Sequence, residues 1–193
     1  MKLLKRLGLQ KKMKEKPYPY EDILHLWEDD FLMIELLPNE NLDFLLKETK
    51  RISEFGQEHL DGSGFSDITT IDEKPFKTIE KLIHISEIET VIAKTGLPRI
   101  SIFHMQGVGI LEGASAPIGF GSSKFAIMCN MQNNVLKDIW ITGRTSNEID
   151  KLKLINALQL LGQTYNFIGV NWFQCEYYNL LDKYSIDEFV TNL

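Results

Sequence analysis

The chain has 193 residues, of which 44% are hydrophobic and 10% aromatic, so it is too apolar for a disordered protein and long enough for one domain with a full core. Its net charge at pH 7 is −6, and no apolar run approaches the roughly 20 residues that span a bilayer. Cys129 and Cys175 lie in apolar runs without CxxC spacing or paired histidines, which excludes a zinc site and predicts buried thiols.

Residues 1–16 differ in charge from the rest of the chain. They contain seven basic residues and one acidic residue, for a net charge of +6, so residues 17–193 carry a net charge of −12. Leu3, Leu4 and Leu7 stand at helical spacing, which is typical either of an amphipathic arm for a membrane surface or nucleic acid, or of a solvated N-terminus. Because the lysines continue where a secretory signal would be apolar, we expect a cytoplasmic protein. The sequence thus predicts a basic arm followed by an acidic domain.

The first part of the domain combines a buried strand with an amphipathic helix. Residues 23–27 fit either a helix or a strand, and the apolar run at residues 31–37 has the length of a central strand that is buried on both faces. Apolar residues at spacings of three and four predict a helix over residues 42–55. Residues 56–67 have the composition of a loop.

The middle of the chain is predicted to be mostly strand. Residues 79–85 are expected to form one strand, and Ser86 with Glu89 forms a capping-box pattern that opens a short helix. Residues 99–105 are expected to form the next strand, and residues 107–121 are rich in glycine.

The most regular β pattern lies between residues 124 and 142. Apolar residues alternate over residues 124–131 and 135–142, and Ile139 and Ile141 are expected to face inward. The intervening Gln132-Asn133-Asn134 is predicted to be a turn in which asparagine adopts positive φ. The sequence therefore predicts an antiparallel hairpin here.

Two helices and an aromatic strand region are predicted to complete the domain. Thr145 with Glu148 and Ser185 with Glu188 have capping-box spacing, and residues 165–178 form the strand region between the two helices. The first of these helices is expected to turn five residues inward: Ile149, Leu152, Ile155, Leu158 and Leu161. Because strands occur both in a hairpin and between helices, we predict a single α+β domain, residues 17–193, with helices packed on a mainly antiparallel sheet.

The sequence contains no recognisable catalytic or cofactor motif. Gly107-Val108-Gly109 follows a strand, but position 112 is Glu112 where the dinucleotide fingerprint needs glycine. The loop from Asp61 lacks the ligand pattern and the final glutamate of a calcium-binding EF-hand. The four histidines have no metal-site spacing: His25, His59, His84 and His104. We therefore expect no metal, no cofactor and no catalysis.

The size of the chain, its single α+β body and its acidic residues beside C-terminal aromatic residues resemble the immunity proteins of bacterial polymorphic-toxin and contact-dependent inhibition systems. The residues that carry this resemblance are Trp172, Tyr177, Tyr178, Asp182, Asp187 and Glu188. The resemblance implies a non-catalytic protein that binds one cognate toxin domain and blocks it. Such toxins are often nucleases with basic grooves, where carboxylates would mimic phosphates.

Acidic clusters and one tryptophan are the candidate partner-binding residues. They are Glu28, Asp29, Asp30, Asp61, Asp67, Trp172, Asp182, Asp187 and Glu188. The acidic domain should repel nucleic acid and anionic membranes, so the expected partner is a basic toxin domain.

The alternative is a small-molecule-binding protein or an enzyme with a site near the two glycine-rich loops, residues 56–67 and 107–121. His59, His104 and Glu112 would then converge. A cleft lined by titratable groups with shifted pKa values would favour this alternative, whereas an acidic face with exposed aromatic residues would favour the inhibitor.

Overall fold

The computed structural model describes residues 23–61, 64–100, 102–112 and 117–193. The predicted basic arm, residues 1–16, lies outside the described residues, as does the start of the predicted domain. Within the described ranges, strands and helices are interspersed along the chain, with a run of six consecutive strands in its middle, and pack around apolar clusters.

A seven-stranded sheet forms the centre of the described structure, and each neighbouring pair of its strands is antiparallel. In order across the sheet the strands are β12 (Glu176–Asn179), β11 (Phe167–Asn171), β2 (Ile34–Pro38), β10 (Val135–Gly143), β9 (Phe125–Gln132), β8 (Ile118–Gly121) and β5 (Arg99–Ile100). The prediction of an α+β fold with a mainly antiparallel sheet is confirmed.

Smaller strands and four helices complete the described elements. A three-stranded sheet contains β1 (Leu24–Leu26), β6 (Ile102–Met105) and β7 (Gly109–Glu112), and a short hairpin contains β3 (Leu60–Asp61) and β4 (Gly64–Phe65). The helices are α1 (Leu42–His59), α2 (Ile85–Ala93), α3 (Glu148–Tyr165) and α4 (Lys183–Thr191). Short 3-10 turns lie at Glu28–Asp30, Asn39–Asn41 and Thr78–Lys81.

The two faces of the main sheet are covered by different elements. On β9, Phe125, Ile127 and Cys129 pack with the apolar residues of α2, α3 and α4, whereas Ala126 and Met128 pack with the small sheet. This division follows from the strand period of two. On that second face, α1 packs beside the small sheet and covers β2 and β11. The result is a three-layer arrangement in which the sheet is buried on both faces.

The strongest sequence patterns were interpreted correctly. β9 and β10 form the predicted hairpin, with Asn133 and Asn134 at φ of 53° and 64°, and Ile139 and Ile141 are buried. β2 lies between β11 and β10 with all five residues buried, as predicted for a central strand. It begins at residue 34 because Leu32 adopts a left-handed φ of 58°, which interrupts the apolar run.

One predicted strand is wrong, and a second is correct at its described residues but is divided between two sheets. Residues 78–81 form a 3-10 turn, and only His84 makes an isolated β-bridge, to Val135. The predicted strand at residues 99–105 is divided between two sheets: β5 pairs with β8, and β6 pairs with β1 and β7. Both halves keep the apolar pattern of a strand, so periodicity could not reveal where the chain changes sheets.

The predicted helix starts are displaced by two or three residues. The helices α2, α3 and α4 are preceded by His84, Asn147 and Asp182, and not by Ser86, Thr145 and Ser185. Each segment that leads into these helices contains several polar residues whose side chains can accept a backbone N–H of the first helical turn. Tertiary packing therefore decides which of them becomes the N-cap.

The inward face predicted for α3 is partly wrong. Ile149 and Leu152 are exposed, whereas Ile155, Leu158 and Leu161 are buried. At 3.6 residues per turn, Ile149 lies on the side of the helix opposite Leu158.

Candidate functional site

Several turns meet at one end of the main sheet. β2 begins and β11 ends there, because Ile34 pairs with Asn171, and β12 begins there opposite Asn171. β10 ends and β9 begins at the same end, because Gly143 pairs with Phe125. Two turns at this end carry exposed side chains: residues 27–33, which lead into β2, and residues 172–175, which join β11 to β12.

The first turn presents three of the predicted acidic residues. Glu28 and Asp29 are exposed and Asp30 is half-buried in the 3-10 turn. No lysine or arginine in the described part of the chain forms an ion pair with these three carboxylates. Two large aromatic side chains border them, Trp27 with 54% and Phe31 with 48% of their surface exposed. We call residues 27–31 the acidic turn.

The acidic turn is fixed to the sheet from two sides. The ring of Phe31 meets Trp140 of β10 edge-on, with 5.1 Å between the ring centroids. The backbone N–H of Trp172 donates to the carbonyl of Met33 at 2.9 Å, which ties the end of the turn to the end of β11. The exposed aromatic residues are therefore held on a supported loop.

A groove of about 560 Å³ begins at the acidic turn. Trp27, Asp30, Phe31 and Trp140 line the end near the turn, and Met105 and Leu111 of the small sheet are also part of the lining. We call it the aromatic groove. Its volume is within the range of about 300–1,000 Å³ found for ligand sites, and its wall combines apolar side chains with polar groups that include Asp30, Arg99 and Asn130.

Two further depressions continue from the aromatic groove. A connecting groove of about 350 Å³ shares Asp30 and Thr142 with it and also contains Arg144. An apolar groove of about 500 Å³, between α1 and the turn at residues 172–175, shares Phe173 and Gln174 with the connecting groove. The three grooves therefore form one continuous surface.

A hydrogen-bonded polar cluster holds the turn at residues 172–175. The Asn171 side-chain oxygen accepts from the N–H of Phe173 at 3.1 Å and of Gln174 at 3.3 Å, and its amide donates to the carbonyl of Asn192 at 3.2 Å. The Tyr178 hydroxyl accepts from the Asn192 amide and donates to the Glu176 carboxylate. Burial raises the pKa of Tyr178 to about 12, so this hydroxyl keeps its proton at neutral pH.

The other predicted acidic residues are distributed around the molecule. Asp67 lines the apolar groove and accepts from the N–H of Ile68 at 2.8 Å, and Asp61 is exposed on β3. Asp182 caps α4 just after the opposite end of β12, and Asp187 and Glu188 lie within α4. Glu28, Asp29, Asp30 and Asp67 are thus associated with the grooves, whereas Asp182 is remote from them.

Trp172 and Phe173 differ sharply in exposure. Trp172 is 4% exposed and packs in the cluster beneath α1, with its indole nitrogen 3.5 Å from the Glu35 carboxylate. Trp172 is therefore a core residue, whereas Phe173 is 60% exposed and presents the aromatic ring at the surface.

The sequence analysis missed Trp27, Phe31 and Phe173 as surface residues. Phe31 was included in a buried strand, and residues 23–27 fitted a helix as well as a strand. The sequence signal for the exposure of Trp27 and Phe31 was the Glu28-Asp29-Asp30 tripeptide between them. Carboxylates are costly to bury without a cationic partner, so they keep neighbouring residues near the surface.

The groups needed for the alternative site are not brought together. His59 stacks on Phe55 near the end of α1, with 4.0 Å between the ring centroids. His104 lies on β6, where its Nδ1 is 3.2 Å from Nδ1 of His25, and Glu112 lies on β7 opposite Ile102. The described residues contain no group of three or more His, Cys, Asp or Glu side chains arranged to hold a metal ion.

Neither cysteine has the features of an activated nucleophile. Burial raises the pKa of the Cys129 thiol to about 12, and this cysteine is confirmed as a buried thiol. Cys175 is only partly buried, since it lies in the wall of the apolar groove, and burial raises its pKa as well. Reactive cysteines have a lowered pKa, so the chemistry of both residues is that of ordinary thiols.

Two searches bear on the wider assignment. Among the described residues, no helix combines the length and apolar character needed to cross a membrane. Comparison of the chain with protein-family models, with curated protein sequences and with solved structures found no match, so a functional proposal rests on the chain's own residues.

Proposed function

We propose that this protein is a non-catalytic binding protein that neutralises a cognate basic protein domain, as immunity proteins neutralise toxins, and that it does so through the acidic turn and the aromatic groove. One observation carries the proposal: three carboxylates without an ion pair in the described structure stand between two half-exposed aromatic rings. This combination is suited to protein recognition, because charge guides the encounter and aromatic anchors supply affinity.

The charge of the acidic turn is available to a partner. Other carboxylates of the protein are neutralised internally, for example Glu48 by Arg51 and Glu40 by Lys81. Binding through Glu28 and Asp29 breaks no ion pair among the described residues, so a basic partner gains the interaction without the loss of such a pair there. The charge of −12 over residues 17–193 adds a long-range attraction for a basic domain.

The aromatic side chains of the turn are partly preorganised. Phe31 is supported by Trp140, and the backbone of Met33 is tied to Trp172. Anchors that are already ordered lose less conformational entropy on binding, which favours affinity. In the proposed complex, Trp27 and Phe31 lose water to the partner while the carboxylates face its basic groove.

The proposed partner is a toxin domain with a basic active-site groove, such as a nuclease. Carboxylates in such a groove occupy the positions of substrate phosphates and form charge-assisted hydrogen bonds with arginine and lysine. A protein bound there excludes substrate without performing chemistry of its own. This function requires neither a cofactor nor a metal.

The first experiment is capture of the partner by tagged protein from its native cells, at low and at high salt. The expected result is a stoichiometric basic protein domain whose toxic activity is inhibited in the reconstituted complex. Recovery of the protein alone under both conditions, or a captured partner whose activity is unaffected, would refute the proposal.

A charge-matched pair of variants then tests the surface. Glu28→Lys with Asp29→Lys changes the net charge by the same amount as Glu73→Lys with Glu80→Lys, which alters exposed acidic residues on a different part of the molecule. At low salt, the first pair should slow association with the captured partner by about tenfold or more, and the second by clearly less. Equal effects would mean that only net charge matters and that the acidic turn is not the contact.

The aromatic anchors are tested by Trp27→Ala and Phe31→Ala. Each should accelerate dissociation, because hot-spot truncations typically cost about 2 kcal/mol or more of binding free energy. Tyr184→Ala, which removes an exposed aromatic ring on α4 away from the grooves, is the internal comparison and should leave dissociation unchanged.

A further inference from the structure

The apolar groove has an unusual wall for a surface depression. Ile52 and Phe55 of α1 and the core residue Trp172 line it, and three exposed side chains border it: Leu60, Ile68 and Phe173, with 61%, 88% and 60% of their surface exposed. Single exposed apolar residues are common, but several around one groove indicate a contact surface.

The segments that form the walls of the groove are acidic, and the nearest cation to the lining is Arg51 of α1, which donates to Thr69 at 3.0 Å and pairs with Glu48. Residues 52–69, which include most of its wall, contain four acidic residues and no lysine or arginine. Residues 171–179, which supply the opposite wall, contain one acidic residue, Glu176, and again no lysine or arginine. Asp67 is the charged residue within the lining itself. An occupant of the groove therefore meets apolar side chains inside and carboxylates around the rim.

We infer that the apolar groove is a second docking site, which takes a basic amphipathic segment of the protein partner. Apolar side chains of that segment enter between α1 and the turn at residues 172–175, while its lysines and arginines face the acidic rim. This inference rests on the proposed binding function and extends it to a separate surface. The connecting groove joins the two surfaces, since it contains both Asp30 and Phe173.

The charge of the rim selects among occupants. A second copy of this domain would place acidic residues opposite acidic residues, and an anionic membrane would be repelled in the same way. A basic segment with one apolar face is complementary both to the apolar wall of the groove and to its acidic rim. Amphipathic segments commonly bind proteins in apolar grooves of this kind.

The walls of the groove are held in place before binding. On one side, Phe55 stacks on His59, and α1 is anchored in the core by Leu45. On the other side, the hydrogen bonds of Asn171 fix the backbone of Phe173 and Gln174. A docking segment therefore meets a formed groove.

The test uses the full-length protein and a synthetic 14-residue peptide with leucines on one helical face and lysines elsewhere. Two matched peptides serve as controls, one with glutamates in place of the lysines and one with the same composition in an order that has no apolar face. Methyl-resolved NMR titration reports the contact, and we expect the amphipathic basic peptide to shift the methyl signals of Ile52, Leu60 and Ile68. Binding should weaken as salt is raised.

Variants of exposed residues give the quantitative result. Leu60→Ser with Ile68→Ser should weaken peptide binding by at least about tenfold, whereas Ile149→Ser, an equally exposed isoleucine on α3, should leave it unchanged. All positions are exposed, so the amide spectrum should confirm that each variant remains folded.

Several outcomes would overturn the inference. Equal binding of the peptide without an apolar face would show that charge alone attracts it. Shifts confined to the methyl groups of Leu26 and Leu32 beside the acidic turn, abolished by Glu28→Lys with Asp29→Lys but not by Leu60→Ser with Ile68→Ser, would place the contact elsewhere and leave the proposed function standing. Failure of all three peptides to bind would likewise reject the apolar groove as a docking site. The proposed function is tested independently, by whether the acidic-turn variant Glu28→Lys with Asp29→Lys still captures the partner.

Discussion

A buried ion pair at the centre of the sheet gives a sharp prediction about stability. The Glu35 side chain on β2 is 3% exposed, and its two carboxylate oxygens lie 2.7 Å and 2.6 Å from Nζ of Lys74. The lysine side chain is 24% exposed and reaches in from the coil between β4 and the 3-10 turn at Thr78–Lys81. Replacing Lys74 with methionine removes the cation but keeps much of the apolar volume, so it isolates the effect of an unpaired buried carboxylate.

The expected loss is large compared with the stability of a domain. Removing one partner of a buried pair typically costs about 3–5 kcal/mol, and because Lys74 is partly solvated we expect about 3 kcal/mol at neutral pH. The total stability of a domain is about 5–15 kcal/mol, so the variant should lose a substantial fraction of it. Urea unfolding, followed by far-UV circular dichroism, measures the difference directly.

The loss should depend on pH in a defined direction. Burial raises the pKa of Glu35 above its ordinary value of 4.5, and Lys74 counteracts part of this rise. In the window between 4.5 and the raised pKa, the folded state binds more protons than the unfolded state, so the stability falls as the pH rises through that window. Without Lys74 the pKa of Glu35 rises further and the window widens. The Lys74→Met variant should therefore lose most at pH 7.5 and recover as the pH is lowered towards 4.5.

A second substitution separates this explanation from a general packing defect. Glu35→Gln combined with Lys74→Met removes both charges and should restore much of the stability at pH 7.5. If the double variant is as unstable as Lys74→Met, or if the loss in Lys74→Met is the same at pH 5 and pH 7.5, the reasoning from an unpaired buried carboxylate is refuted.

Three further predictions concern single residues. Gly169→Ala should lower stability by about 2 kcal/mol and the thermal midpoint by roughly 4–8 °C, because a Cβ there would lie 2.5 Å from the Phe189 ring; an unchanged melting curve would contradict this close contact. Asp182→Ala should cost about 1 kcal/mol in urea unfolding, while Asp182→Asn, which still accepts the backbone N–H groups at the start of α4, should be nearly neutral. A thiol reagent followed by mass spectrometry should label Cys175 in the native protein and Cys129 only after unfolding, and rapid native labelling of Cys129 would show that the core opens readily.

The parts of the fold that could be predicted are those specified by local chemistry. The β9–β10 hairpin was predictable because two asparagines provide the left-handed turn and alternating residues set the register. β2 was predictable because a short, almost entirely apolar run is typical of a strand that is buried on both faces. The change of sheet between Ile100 and Ile102 is set by long-range pairing, which leaves no local signal.

The candidate site was predictable in its charge but not in its shape. The run of acidic residues at positions 28–30 indicated a segment at the surface. The exposure of Phe31, however, depends on the left-handed residue Leu32, and the burial of Trp172 beside an exposed Phe173 depends on how α1 covers the sheet. These are consequences of tertiary packing, to which sequence periodicity is insensitive.

The arrangement of the grooves on turns at one end of the sheet has an evolutionary consequence. The acidic turn and the turn at residues 172–175 occupy connections between strands, whereas the residues that hold the layers together are on the strands and helices. Surface side chains on such connections are free to diverge with little effect on packing. Lineages that share this scaffold could therefore acquire different partners by changing one connection at a time, and comparison among them should find rapid substitution in these two turns beside a slowly changing core.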